Sequence, residues 1–348
     1  MEPTLSRNES RIYLDHAATT PMRPDAVAAV MEGMARWANP SSPHAEGRAA
    51  RAALERARAR IAEALDWPDH VILTSGASES AGIALRGRPG VGVAAVEHDA
   101  VLRAAERPVL LPVDAGGRVN PADVPAVVAV QSANSETGVL PGVPDRQTTG
   151  LWIADCSQTA GKLPLPDADM IIVSAHKLGG PPGIGALLVR DLGQVEPTGG
   201  QERGYRGGTE NLPGALGFAA ALEAPRDWFA GMADLRAVLD AAVLAGGGEI
   251  VAHHTSRIPT IAAYRMPGVS AAAQLIRLDM AGFAVSAGSA CSSGSMRPSH
   301  VLAAMGYAPA AAGEVVRVSF GWTTTEDEVS RFAEAWARIA GDLRRSAA

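Results

Sequence analysis

Only two of the 31 basic residues are lysines, Lys162 and Lys177; the rest are arginine. Covalent chemistry on a carbonyl needs an amine that can shed its proton, and a guanidinium stays charged. An imine-forming residue is therefore one of these two. Lys177 lies in Ser174-Ala175-His176-Lys177, after an apolar run and before the glycine- and proline-rich stretch 179–183. That pattern predicts the C-terminal end of a strand, the edge at which open α/β sheets bind ligands. A lysine there, beside a serine and a histidine, suits an imine flanked by phosphate-binding donors; a solvated loop lysine is the plain alternative. Lys162, in the turn Gly161-Lys162-Leu163-Pro164, reads as an exposed or structural lysine.

Other residues bear on the same chemistry. Asp155 closes the apolar run 151–154, and Gln158 follows three positions later. Pyridoxal 5'-phosphate (PLP) needs a carboxylate to keep its pyridine nitrogen protonated, because the pyridinium is the electron sink. Asp155 suits that task, and equally suits a helix N-cap. Thr74-Ser75-Gly76-Ala77-Ser78-Glu79-Ser80 follows the run 71–73. Small residues at a strand-to-helix junction let backbone N–H groups approach a phosphate, or simply cap the helix. His98, just after the run 91–96, could stack on a cofactor ring and shuttle protons, or be a surface histidine. Arg317 alternates with Val316 and Val318 on a predicted strand, so its side chain points to the opposite face. Its fork suits a substrate carboxylate or an internal ion pair.

The two cysteines, Cys156 and Cys291, are too few for a disulfide framework and form no two-cysteine metal pair; no metal site is expected. Cys291 lies in Gly288-Ser289-Ala290-Cys291-Ser292-Ser293-Gly294-Ser295, a tract too small and pliant to build a core. A thiol there reads as a working one. Cys156, beside Asp155 at a strand end, reads as buried and inert.

These residues need a scaffold. A helical pattern runs from 46 to 65, followed by short apolar runs at 71–74, 91–96, 109–113, 127–130, 151–154, 170–173 and 184–189. That alternation predicts an α/β domain with a mostly parallel sheet. From about residue 227 the texture changes: a long helix to about 244, a strand at 260–265, a helix at 271–281, a short helix at 299–305, a strand at 315–320 and a closing helix. We expect a large domain over 13–223, and a smaller α+β domain from 1–12 and 224–348 that carries the Cys291 loop. A net charge of −6 gives no electrostatic footprint for nucleic acid. No apolar run is long enough to span a bilayer, and residues 1–8 lack a secretory signal's apolar stretch, so a cytoplasmic enzyme is the expectation.

With these clusters in order, the chain resembles the cysteine desulfurases of the NifS/IscS type, within the PLP fold-type I (class V aminotransferase) superfamily. The resemblance rests on Tyr13-Leu14-Asp15-His16-Ala17-Ala18-Thr19-Thr20-Pro21, Asn39-Pro40-Ser41-Ser42, the stretch 74–80, Glu97-His98 and Asn134-Ser135-Glu136-Thr137-Gly138. It continues through Asp155-Cys156-Ser157-Gln158, 174–177, 199–204, Arg206-Gly207-Gly208-Thr209, 288–291 and Pro298-Ser299-His300-Val301-Leu302. The resemblance implies roles. Lys177 would hold PLP covalently and move the substrate's Cα proton. Asp155 would pair with the pyridine nitrogen, Gln158 with the phenolic oxygen, and His98 would stack on the ring. Ala77, Ser78, Ser174 and His176 would bind the phosphate, with Thr209 reaching across from the other subunit of a homodimer. Arg317 would hold the substrate carboxylate, near Ser135, which stands where the family has the second of two adjacent asparagines. Cys291 would take sulfur from L-cysteine as a persulfide, leaving alanine, and pass it to an acceptor protein, as in iron–sulfur cluster or thio-cofactor synthesis. Selenocysteine cleavage and other class V aminotransferase chemistry are the competing readings; a transaminase has no need of Cys291.

Overall fold

The computed structural model describes residues 11–119, 125–142, 144, 150–288 and 299–347. The chain enters through a two-residue strand, β1 (Ile12–Tyr13), and then forms α1 (Pro24–Ala35) and α2 (Ala45–Ala64). Proline stands in the first turn of α1, where its missing N–H costs nothing. In α2, Ala50, Ala53, Leu54, Ala57 and Ile61 recur at helical spacing and form one buried face. The His44 ring caps that helix by accepting the N–H of Gly47.

A seven-stranded sheet follows: β2 (His70–Thr74), β3 (Gly92–Ala94), β4 (Val109–Leu111), β5 (Val127–Ala129), β6 (Leu151–Asp155), β7 (Met170–Ser174) and β8 (Gly185–Val189). Its order is β2-β8-β7-β6-β5-β3-β4. β8 pairs antiparallel with both neighbours, while the remaining pairs are parallel. The expected mostly parallel sheet is therefore present, and β7 and β8 are buried along their whole length, as strands covered on both faces must be. Helices α3 (Ala77–Leu85) and α4 (Asp99–Ala104) lead out of β2 and β3.

Helix α5 (Leu212–Glu223) packs against α1 and α2 and is buried almost all round. A Cβ on Gly33 would lie 2.5 Å from Pro213 Cα, so α1 and α5 touch at a contact that only glycine permits. Beyond it come α6 (Met232–Ala245), β9 (Glu249–Ile250), β10 (Ile261–Arg265), α7 (Ala271–Met280), β11 (Phe283–Ala284), α8 (His300–Ala304), α9 (Pro309–Ala312), β12 (Val315–Ser319) and α10 (Glu326–Ala347). Strands β12, β10 and β9 form an antiparallel sheet, and β11 pairs with β1 at the other end of the sequence. Their core gathers Ile12 and Leu14 with Tyr264, Val318, Phe320, Phe332 and Trp336. One correction falls here. The helix predicted from about 227 starts at Met232, because a 3-10 turn over Asp227–Phe229 and then Gly231 precede it.

Candidate active site

Strands β2, β3, β6 and β7 deliver their C-terminal ends to one edge of the sheet, and the chemistry-bearing residues follow those ends. Lys177 closes a 3-10 turn after β7. Its Nζ donates to Ala17 O at 2.6 Å and Ala18 O at 2.9 Å. Thr20 clasps the same turn, its N–H donating to His176 O at 2.8 Å and its hydroxyl to Lys177 O at 3.2 Å. The segment after β1 thus crosses the sheet edge and orients the amine.

A cavity of about 360 Å³ opens beside it, and Ala77, Ser78, His98, Ser135, Asp155, Gln158, Ser174, His176 and Lys177 all line it. An adjoining cavity of about 210 Å³ shares His98, Ser135 and Lys177 and adds Glu97, Glu136, His300 and Arg317.

The residues present fit PLP. Gly76 caps α3 with no side chain, which leaves first-turn N–H groups at Ala77 and Ser78 for an anion. Gly76 holds φ +141°, and the nearest atom to a Cβ there would be Ser174 Oγ at 4.0 Å, so the cradle is open on that side. Gln158 donates Nε2 to Ala17 O at 3.0 Å and leaves its Oε1 buried without a partner. Asp155 sits at the end of β6, one carboxylate oxygen accepting Ser157 N–H at 2.8 Å.

The local electrostatics favour neutral imidazoles. Burial, and then the charge of Lys177, push His176 down to about 4. His98 is also lowered, chiefly by burial, with Lys177 and His300 adding to the effect and Asp155 and Asp99 opposing it. Ala100 N–H donates to His98 Nδ1 at 3.1 Å, which puts the proton of a neutral ring on Nε2. Glu97, fully buried, is raised well above the usual carboxylate range by desolvation, and its Oε1 accepts Gln131 N–H at 2.6 Å.

Arg317 and Thr209, both singled out from the sequence, do not line the larger cavity. Arg317 reaches the smaller cavity, but its fork is engaged within the chain: Nη2 donates to Asp15 Oδ1 at 2.7 Å and Nη1 to Ser135 O at 3.0 Å. Thr209 is exposed and lines neither cavity. Cys291 lies outside the described residues; Gly288, three positions earlier, lines the smaller cavity. Cys156 is buried, and desolvation with the neighbouring Asp155 drives its thiol far above the ordinary range. Lys162 is not an exposed lysine: it is half-buried, its Nζ donates to Gln158 O at 2.9 Å, and burial lowers it to about 8. Sequence reasoning assigned no task to Asp15, Glu97, Glu136 or His300. The pair Glu97-His98 and the run Ser299-His300 carried the signal, but nothing local says that they meet. In the fold His300 Nε2 lies 2.8 Å from Glu97 O, and Ser299 donates its hydroxyl to Glu136 at 2.5 Å.

The sheet, the strand-end lysine and the phosphate-sized cradle define a class. The sequence model of the aminotransferase class-V family matches residues 12–332, and the chain belongs to that family of PLP enzymes. Among curated relatives it is 36% identical to the cysteine desulfurase of Frankia sp., over 96% of this chain and 92% of that one. It is 34% identical to the IscS-like cysteine desulfurase of Mycobacterium tuberculosis, over 96% and 98% of the two chains. The NifS-like protein from Rickettsia africae, a solved structure, superposes with a TM-score of 0.85 at 28% identity, covering 94% of this chain and 99% of that one. Within its family the chain is a cysteine desulfurase of the NifS/IscS type.

Proposed function

We propose that the two adjoining cavities are one catalytic site, in which L-cysteine is converted to L-alanine and its sulfur passes to Cys291. The observation that supports this most is the convergence of Lys177, Asp155, Gln158, His98, Ser174 and His176 on one cavity, with Arg317 in the next. Lys177 would hold PLP covalently, Asp155 would face its pyridine nitrogen, Gln158 its phenolic oxygen and His98 its ring. The N–H groups of Ala77 and Ser78, with Ser174 and His176, would hold its phosphate. When bound, PLP supplies the electron sink that makes the substrate's bonds at Cα and Cβ labile.

The chain's own residues do the rest. Arg317, its plane fixed by Asp15 and Ser135, holds the substrate carboxylate. Lys177, as a free amine, would carry the Cα proton as general base and acid. His98 carries a proton on Nε2 and can return one to the departing group. The Cys291 thiolate attacks the substrate's sulfur: a sulfur–sulfur bond forms, the carbon–sulfur bond breaks, and the carbon takes up protons to become alanine. The persulfide on Cys291 then goes to an acceptor protein, with iron–sulfur cluster or thio-cofactor synthesis as the destination. The expected compartment is the cytoplasm; among the described residues no helix is long and apolar enough to cross a membrane.

The working form is a homodimer in which Thr209 completes the neighbour's phosphate site. Its exposure, and an apolar stripe of Val27, Met31 and Met34 on α1 continued by Trp37, support this reading. Incubation with L-cysteine tests the function: we expect alanine to appear with one added sulfur on the Cys291 peptide, read by intact-protein and peptide mass spectrometry. Alanine without a persulfide on Cys291, or pyruvate in place of alanine, rules the mechanism out.

A further inference from the structure

A third cavity lies behind Lys177 and shares no other lining residue with the catalytic pair. It is small, about 20 Å³, room for one or two atoms the size of a water oxygen. Its charged lining is Arg23, Lys162, Lys177 and Arg226, and among the described residues no carboxylate lines it. The donors are also under-used. Arg23 is 8% exposed and its Nε is buried without a hydrogen-bond partner. Trp228 lines the same space, and its indole Nε1 is another buried N–H without one. Lys162 donates one hydrogen to Gln158 O and has two more to give.

Arg23 and Lys162 bring positive charge here with little local compensation. Burial and the nearby Arg226 both lower the basicity of Arg23, and the one carboxylate that opposes them, Asp25, is exposed. Burial and Lys177 lower Lys162 in the same way. The guanidinium of Arg23 lies over the Trp322 ring, 5.3 Å from its centroid, and its stem packs against Gly179, two residues after Lys177. That packing fixes the guanidinium, so it is a preformed donor and not a searching side chain. A water could accept two of these hydrogens, but it leaves the charge untouched. An anion answers both needs, and the volume restricts it. Phosphate, sulfate and the substrate's carboxylate are too large.

We propose that this cavity is a binding site for one monovalent anion of halide size, chloride in ordinary solution, held by Arg23, Lys162 and the indole N–H of Trp228. The site is separate from the proposed catalytic function and stands whether or not that reading does.

The probe is bromide. The cofactor-loaded enzyme is crystallised from halide-free medium, soaked in sodium bromide and measured at the bromine absorption edge. We expect one anomalous peak between Arg23 Nε and Trp228 Nε1. Density there without anomalous signal means a water, and overturns the proposal. In solution, thermal unfolding is compared in sodium chloride and sodium gluconate at equal ionic strength, where a bound anion raises the midpoint in chloride. Trp228→Phe removes one N–H without changing charge, with a smaller ring in its place, and should weaken chloride by roughly tenfold. Arg23→Gln should abolish the difference between the salts. A chloride effect equal in all three proteins overturns the assignment, and the conservative indole change keeps the test decisive should Arg23→Gln fold poorly.

Discussion

At Cys156 burial and the adjoining Asp155 carboxylate both oppose ionisation of the thiol. A nucleophile must be a thiolate, which favours the other cysteine for the proposed sulfur chemistry. We expect Cys291→Ser to keep cofactor and substrate binding yet release alanine at least about a hundredfold more slowly, as loss of a nucleophile requires. Cys156→Ser should retain most activity, and an alanine assay on both variants separates the cases. The two lysines allow an equally direct check. Borohydride reduction of the purified protein should fix the cofactor on the Lys177 peptide; a label on Lys162 removes the assignment. The depressed basicity of His176 has a thermodynamic reading as well. Its folded value of about 4 lies below the usual 6.5, so between those values the unfolded chain binds more protons. Stability attributable to His176 is therefore complete above pH 6.5 and is lost as pH falls towards 4. In cofactor-free protein His176→Asn should flatten that part of the stability profile, measured by urea midpoints across the range.

Among the elements, the strands were legible because each is a short apolar run bounded by turn residues, and all seven runs read from the sequence are strands of the large sheet. That one of them, β8, runs against the rest was not legible, since periodicity carries no direction. The ion pair that joins three elements was equally hidden. Arg58, on the buried face of α2, donates to Val71 O at 2.9 Å and to Glu202 Oε1 at 3.0 Å, and Leu73 N–H donates to Glu202 Oε2 at 2.9 Å. These groups are 13 to 144 residues apart, and a sequence window sees only a basic residue on a helix. Glu202 and Arg203 take left-handed backbone with φ of 48° and 59°, which the pair holds in place. Because Glu202 is buried, Glu202→Gln leaves Arg58 only the more exposed Glu55 carboxylate, 3.0 Å from its Nε, as a charge partner, and we expect it to cost about 3 kcal/mol. A chemical denaturation curve will show it.

For the whole molecule the expected assembly is a symmetric dimer. Light scattering at assay concentration should give twice the chain's 35.8 kDa mass. The exposed stripe on α1 is the proposed contact, so Met34→Glu together with Trp37→Glu should yield monomers that bind cofactor weakly. A fully active monomer removes Thr209 from the site. The sequence held the proposed dimer's one polar clue, Thr209, in a recognisable motif; the apolar stripe emerged only once α5 had covered the Ala26 and Gly33 face of α1.

The opening segment of the chain has a consequence in time. Ile12 hydrogen-bonds to Gly282 O, Leu14 O receives the N–H of Ser319, and Asp15 meets Arg317, while Ala17 and Ala18 hold the Lys177 amine. During synthesis, residues 12–20 therefore precede these partners by 159 to 305 positions and must wait for them. Closing so long a loop is slow, because its entropy is lost before any contact compensates. The amine proposed to be reactive is thus oriented only once that long loop has closed. A refolding chain should recover its sheet, followed by circular dichroism, before it captures PLP; capture that keeps pace with the sheet would mean that the amine is set without its amino-terminal clasp.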